Sequence, residues 1–475
     1  MRKSRLVPLI IATALFMENT DSTVIATSLP MIAQDLGEDP IALKLALTSY
    51  LVSLAIFIPI SGWMADRYGA RTIFRAAIAV FMAGSLACAA ADSLAGFVLA
   101  RFFQGMGGAM MVPVGRLVLL RSVPRNEVVQ ALATLTIPAL VGPVVGPPLG
   151  GFITTYFDWR WIFFINIPIG ILGIVLSTLY IPNIKEPDTP PLDVAGFLMS
   201  GIGLAALMLG LATGGRHLIP LGVSIGCVVL GLGCVAAYIA HARRRPYPVL
   251  QLRLLKIPTF RASLLGGAFF RIGIGAIPFL LPLMLQIGFG LNPLQSGALT
   301  FIAAVGAIFT KTIAKRILQR FGFKAVLTVN AFIGAGFIAA NGFFTPSTPH
   351  WLIMAVLFVG GCFRSLQFTS LNAIGYADVT YRDMSYATSL SSVAQQLSLS
   401  VGVALGAFAL ESSAFWRGGS ENLTAADFAP AFWLVALIAA VSGFVFARLD
   451  PSAGAEMSGH QAVKGRPPST GLGDN

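Results

Sequence analysis

The stretch MENTDSTVIA, residues 17–26, sets two carboxylates, Glu18 and Asp21, inside an apolar run that extends from about residue 6 to residue 29. A charge at the centre of a bilayer costs about 2.5–3.5 kcal/mol on insertion scales, so acids there are rare and tend to be functional. With about 1.5 Å of rise per residue, Glu18 and Asp21 stand roughly 18 and 22 Å into a hydrocarbon core about 30 Å thick, too deep to reach either surface easily. Their chemistry is reversible protonation. Burial disfavours the ionised carboxylate and a neighbouring cation favours it, and the two effects together can leave an acid poised near neutral pH. Arg101, in a run that starts near Leu94 and enters from the opposite surface, reaches a similar depth. An isolated arginine there is expensive and one facing a carboxylate is tolerable, so depth alone pairs Arg101 with Asp21 or Glu18.

Three further stretches carry unusual spacing. GWMADRYGARTIF, residues 62–74, is a short turn in which Gly62 and Gly69 allow close backbone approach, and Asp66 has Arg67, Arg71 and Arg75 nearby. An acid so placed can pair with basic side chains or with the positive N-terminus of a neighbouring helix, and a pairing made only in the closed state would act as a latch. The plainer reading is a basic membrane-surface anchor with one solvated acid. ARFFQGMGGAMMVPVGR, residues 100–116, puts Gly105 and Gly108 on one helical face, where another helix can pack closely. LVGPVVGPPLGGFI, residues 140–153, crowds Gly142, Pro143, Gly146, Pro147, Pro148, Gly150 and Gly151 into one run, which predicts a bend with tight helix packing.

The elements that must hold these residues are membrane helices. The chain is 56% hydrophobic and 11% charged with a mean hydropathy of +0.79, against about 25% charged in soluble domains. Runs long enough to span start near Leu6, Leu45, Ile73, Leu94, Val128, Trp161, Leu192, Leu218, Ala262, Leu294, Val326, Trp351, Ala387 and Phe428, fourteen in all. With both termini cytoplasmic, 25 of the 32 Lys and Arg residues fall on the cytoplasmic side. Lys44, Arg160, Arg216 and Arg417 fall outside, and Arg101, Arg271 and Arg364 lie within the spans, which fixes the orientation. The net charge of +12 therefore needs no nucleic-acid partner. The basic start MRKSR precedes a run with no small-residue cleavage site, so it reads as a retained first helix.

DRYGART, residues 66–72, lines up with QRFGFKA, residues 319–325, each in a short basic loop. That repeat predicts two six-helix halves, residues 1–182 and 261–449, with two inserted helices at 183–241 and a basic linker at 242–260 suited to anionic headgroups. Residues 450–475 are Gly-, Pro-, Ser- and charge-rich and are expected to be disordered. The four cysteines lie in apolar runs without CxxC spacing, and the four histidines are placed in loops or the tail. No metal site is expected, and no phosphate-cradling G-x-x-x-x-G-K-[ST] stretch is present.

DSTVIATSLPMIA, GWMADRYGARTIF, RFFQGMGGAMMVP, LVGPVVGPPLGG and WRWIFFINIPIGI, in that order, resemble the signatures of the major facilitator superfamily, in its fourteen-helix drug:proton antiporter branch. LPLMLQIGFGLNPLQSGALTF resembles the ninth and tenth helices of that branch. The resemblance assigns Gly62, Asp66, Arg67, Gly69 and Arg71 to the family's loop motif, and Arg101, Gln104, Gly105, Gly107 and Gly108 to its fourth-helix motif. The antiporter motif corresponds to the stretch from Gly142 to Gly151. What it implies is an all-α inner-membrane antiporter, not an enzyme, that exports small amphipathic or organic compounds by alternating access. A proton gradient would be the energy source in place of a cofactor. Its partners would be substrate, protons and membrane lipid, with accessory efflux subunits left open. Glu18 and Asp21 would alternately hold a proton and meet substrate. Departures from the family are Ala26 where many members have Asn, the added Glu18, and the buried cations Arg271 and Arg364, which suit a lipophilic-cation site poorly. These last favour an alternative, uptake or facilitated diffusion of an anionic metabolite with Arg271 and Arg364 as ligands. A membrane enzyme or receptor on such a scaffold lacks any nucleophile–base pair or extramembrane domain to support it.

Overall fold

The structure, a computed structural model, describes residues 3–38, 43–213, 220–417 and 424–460, and among these it is helical with no strand. The first half comprises α1 (Lys3–Leu36), α2 (Lys44–Phe57), α3 (Ser61–Tyr68), α4 (Ala70–Ala89), α5 (Leu94–Ser122), α6 (Val128–Tyr156), α7 (Trp161–Phe164) and α8 (Asn166–Tyr180). Two helices follow, α9 (Val194–Thr213) and α10 (Leu221–Ala242). The second half holds α11 (Pro258–Gly275), α12 (Ile277–Leu283), α13 (Pro293–Ala340), α14 (His350–Ile374), α15 (Met384–Trp416) and α16 (Ala425–Ala447), and a short α17 (Ala455–Ser458) closes the described chain.

Ten described helices are long and apolar enough to cross a membrane, eleven when α2 and α3, bent by 57° at their junction, count as one span. The 48-residue α13 is itself two helices joined at Gly322, whose φ of 72° only glycine adopts without strain. That division, and the 34- and 29-residue lengths of α1 and α6, are compatible with the fourteen passes its hydropathy predicts.

Small residues set the helix spacing. A Cβ at Gly107 would meet the Phe81 nitrogen at 2.6 Å, and one at Gly105 the Tyr50 carbonyl at 2.9 Å, so α5 lies directly against α4 and α2. On α6, a Cβ at Gly142 would come within 3.0 Å of the Thr20 nitrogen and one at Gly146 would run into Thr23 Oγ1, which seats α6 on α1. Gly150 is buried as well, but a Cβ on Gly151 would meet open space, so the close-packed face does not extend to it. Pro143 and Pro147 lie within α6, which continues as one helix through the cluster and is not divided there.

The repeated loop is a repeated conformation. Gly69 and Gly322 occupy matching places in the two halves and both have positive φ, 95° and 72°. Two expectations need correction. Residues 450–460 are ordered: Met457 and Ser458 are buried, Glu456 lies 3.6 Å from Arg125, and His460 Nδ1 donates to the Gln319 carbonyl at 2.9 Å. A buried methionine and two glycine turns, Gly454 and Gly459 at φ 69° and 70°, outweigh the polar composition there. Residues 461–475 and His217 lie outside the described residues. His241 belongs to the last turn of α10, where it contacts Asp193 at 2.8 Å, and His350 begins α14.

Candidate functional site

α1 carries both acids, but they meet different surroundings. Asp21 is 4% exposed and held from two helices, α5 and α8. Arg101 approaches one of its oxygens at 2.6 Å, while the Gln104 and Asn166 amides each donate to the other at 2.9 Å. Ser85 accepts from Gln104 at 2.9 Å and from Asn166 at 3.0 Å, and Gln104 returns its carbonyl oxygen to Arg101. The Arg101 guanidinium lies 4.4 Å over the Tyr50 ring. This is a buried, nearly saturated polar knot, built because α5 can approach α4 and α2 through its glycines. The fourth-helix motif thus brings Arg101 and Gln104 to Asp21, the pairing that depth suggested. Asn166 and Ser85 were not foreseen, and single polar residues inside the runs WRWIFFINIPIGI and AVFMAGSLA were their only signal.

Glu18, one turn away, lies on the wall of a cavity of about 540 Å³ between the two halves. Its Oε2 is buried without a hydrogen-bond partner. The facing wall is cationic. Lys311, 3% exposed on α13, donates to Thr369 Oγ1 at 2.6 Å, and Arg364 of α14 lines the same space. Arg116 of α5 also lines it and donates to the Tyr376 hydroxyl of the other half at 3.3 Å. Lys311 and Arg116 correct the charge count, which assigned both to cytoplasmic loops: each sits inside a helix longer than its apolar run. Arg271 is buried on α11 beside Gly267, but it is not among the residues that line this cavity. Of the two foreseen cations, only Arg364 is in a position to meet a solute there.

At one end of the bundle the halves are fastened together. Asp66 on α3 pairs with Arg121 at 2.9 Å and accepts from Ser385 in the first turn of α15. Its partner is therefore not Arg67, Arg71 or Arg75. Arg67 is exposed, and Arg71 donates to the Ile181 carbonyl at 3.2 Å, near the carboxyl end of α8. The Gly62 amide donates to Ser389 at 3.0 Å, and a Cβ there would stand 2.6 Å from the Ser385 carbonyl. Arg125 adds a bond to the Ala377 carbonyl at 2.7 Å. The acid at an opposing helix N-terminus is the arrangement anticipated for a latch, with Arg121 as the cation.

Two helical halves around a charged interior cavity, closed at one end by contacts between the halves, define a multi-pass transport protein. The model of the Major Facilitator Superfamily matches residues 11–407, and the chain belongs to that family, a transporter family and not an enzyme one. MdtD of Escherichia coli strain K12, whose name refers to multidrug resistance, is 37% identical over 444 residues, 93% of each chain. MdtD of Shigella boydii serotype 18 matches to the same extent. Among solved structures, the human organic anion transporter MFSD10 superposes with a TM-score of 0.67 at 14% identity, over 94% of this chain and all of that one. The proton:xylose symporter XylE gives 0.67 at 14%, over 97% and 99%. At such identity these two establish the shared fold.

Proposed function

We propose that the protein is a proton-coupled exporter of small amphipathic organic compounds, working by alternating access in the cytoplasmic membrane with both termini inside. The carrying observation is Glu18: an acid on the cavity wall with an unpartnered oxygen, set against cations of the opposite half. Asp21 is already committed to Arg101, Gln104 and Asn166, so Glu18 is the carboxylate free to exchange a proton with the cavity. Loading Glu18 removes a negative charge from a site whose other charges are positive, and so alters solute binding. Occupancy by proton or by solute then stabilises the two orientations of the halves differently, and that differential is all coupling requires. The resistance name of MdtD and the Lys and Arg excess in alternate loops support export and the inward termini. The Asp66–Arg121–Ser385 cluster would make the described state closed to the cytoplasm.

The test is transport in proteoliposomes under an imposed pH gradient, screened over cationic, neutral and anionic solutes. The parent is expected to move solute against proton flow, and Glu18→Gln to lose the response to the gradient while retaining solute binding. A Glu18→Gln protein that couples as well as the parent would remove Glu18 from the mechanism.

A further inference from the structure

The cavity is cationic beyond what its own acid balances. Among the described residues, its cations Lys311, Arg364 and Arg116 have no carboxylate within ion-pair distance. Lys311 has one neutral hydroxyl partner, Thr369, and Arg364 has no hydrogen-bond partner among the described residues. Desolvated cations left without counter-charge are costly, and chains usually retain them where an anion arrives to complete the site.

A second space adjoins the first. It measures about 400 Å³ and is lined chiefly by apolar groups of the second half, among them Phe270, Ile277, Leu281, Phe337 and Val356. Arg364, Ile274 and Pro278 belong to the walls of both spaces. A guanidinium with no partner of its own therefore stands where a polar, cation-lined lobe meets an oily one.

We infer that the transported solute is an amphipathic organic anion, a carboxylate or sulfonate whose head is held between Arg364 and Lys311 and whose apolar body occupies the lobe under Phe270 and Phe337. This rests on the export reading and narrows its substrate class. Arg364 supplies a planar donor fork matched to a two-oxygen head, and Lys311, which reaches α14 at Thr369, a compact charge on the same cavity. Glu18 on the same cavity repels that head when ionised and spares it when protonated, so the proton load of Glu18 sets how tightly the head is held.

Radiolabelled cholate, an amphipathic carboxylate, serves as the probe on the purified full-length protein in detergent, with tetraphenylphosphonium as a lipophilic cation for contrast. Saturable cholate binding is expected, unaffected by excess tetraphenylphosphonium. Arg364→Gln and Lys311→Gln should each weaken it at least about tenfold, as expected for loss of a charge-assisted contact, with partial recovery in Arg364→Lys. The charge contrast on the parent protein needs no variant, so misfolding of Arg364→Gln leaves the test intact. Saturable tetraphenylphosphonium binding without cholate binding overturns the proposal, as does cholate binding unchanged in both variants. Failure of the export reading looks different: cholate binds and depends on Arg364, but no solute responds to the pH gradient. Gradient-driven movement of tetraphenylphosphonium with no cholate binding keeps export and discards the anion.

Discussion

Asp21 and Glu18 stand on one helix a turn apart, and the two regions they belong to are built on opposite plans. Around Asp21 the carboxylate is fully answered: an arginine and two amides close on it, a serine holds the two amides, and Asp21, Arg101 and Gln104 are 4%, 0% and 0% exposed. Around the cavity the groups are left unanswered, with a free Glu18 oxygen, an arginine without a partner and a lysine on a single hydroxyl. A saturated network specifies one arrangement of helices. An unsaturated one stores affinity for what is absent. The same kind of residue, a buried acid in an apolar run, is thus tied down in one place and left open to the cavity in the other.

The sharpest way to break that contrast is to remove one acid at a time. Asp21→Ala leaves Arg101 buried without a counter-charge and should destabilise the protein by about 3–5 kcal/mol, the usual cost of breaking a buried pair. Glu18→Gln, which breaks no ion pair, should change thermal stability in detergent by less than about 1 kcal/mol. Equal melting shifts for the two would mean that the knot and the cavity wall do not differ as described.

Next in size is Gly146→Leu. The side chain would enter space that the Thr23 side chain occupies, and overpacking of this kind costs about 1–3 kcal/mol. Because α6 then moves off α1 between the knot and the cavity, the expected result is inserted protein with export lost and solute leak added. Gly151→Leu, facing open space, should behave like the parent, and identical vesicle fluxes for both variants would count against the packing argument.

A smaller effect is expected at the closed end. Asp66→Asn weakens the tie to Arg121 and Ser385 without touching either region, and should raise labelling of a cysteine placed at the cavity residue Ser392 by a few-fold, the shift that about 1 kcal/mol gives. The thiol reagent is applied from the Asp66 side, and labelling equal to the parent would reduce Asp66 to an anchor.

The least effect should come from Asp35, near the far end of α1, where hydrogen bonds from Trp159 at 3.0 Å and Arg160 at 2.9 Å hold its carboxyl below the usual range. A lowered folded value means that its stabilisation is present above the unfolded value of about 3.9 and fades as pH falls through the folded one. The site is largely exposed, so the contribution stays under about 1 kcal/mol. Asp35→Asn should flatten that acid-side slope in a melting series, whereas an unchanged slope would assign it to other carboxylates.

The passes of the bundle were legible from hydropathy, and the knot was half legible because Asp21 and Arg101 are each intolerable alone at that depth. Gln104 came through family resemblance. Lys311 and Arg116 were misread because positive charge near a run's end looks like a surface anchor. Whether it turns inward depends on how far the helix extends beyond its apolar segment, which hydropathy does not register. Glu18 and Asp21 look alike in one dimension, and only the approach of α4, α5 and α8 separates them. The order in residues 450–460 escaped a reading by composition because it depends on one methionine and two glycine turns against a distant helix.

The two copies of the glycine loop have come to differ in use. At Asp66 the first copy reaches across to Ser385 of the other half while pairing with Arg121 of its own, whereas the matching position in the second copy is Gln319, whose carbonyl is occupied by His460. A duplicated pair of fastenings has become a catch on one edge and a cover on the other. Opening is therefore expected to begin at Asp66 and to pivot about the Gln319 side, so that the two halves, alike in fold, divide between them the parts of latch and hinge.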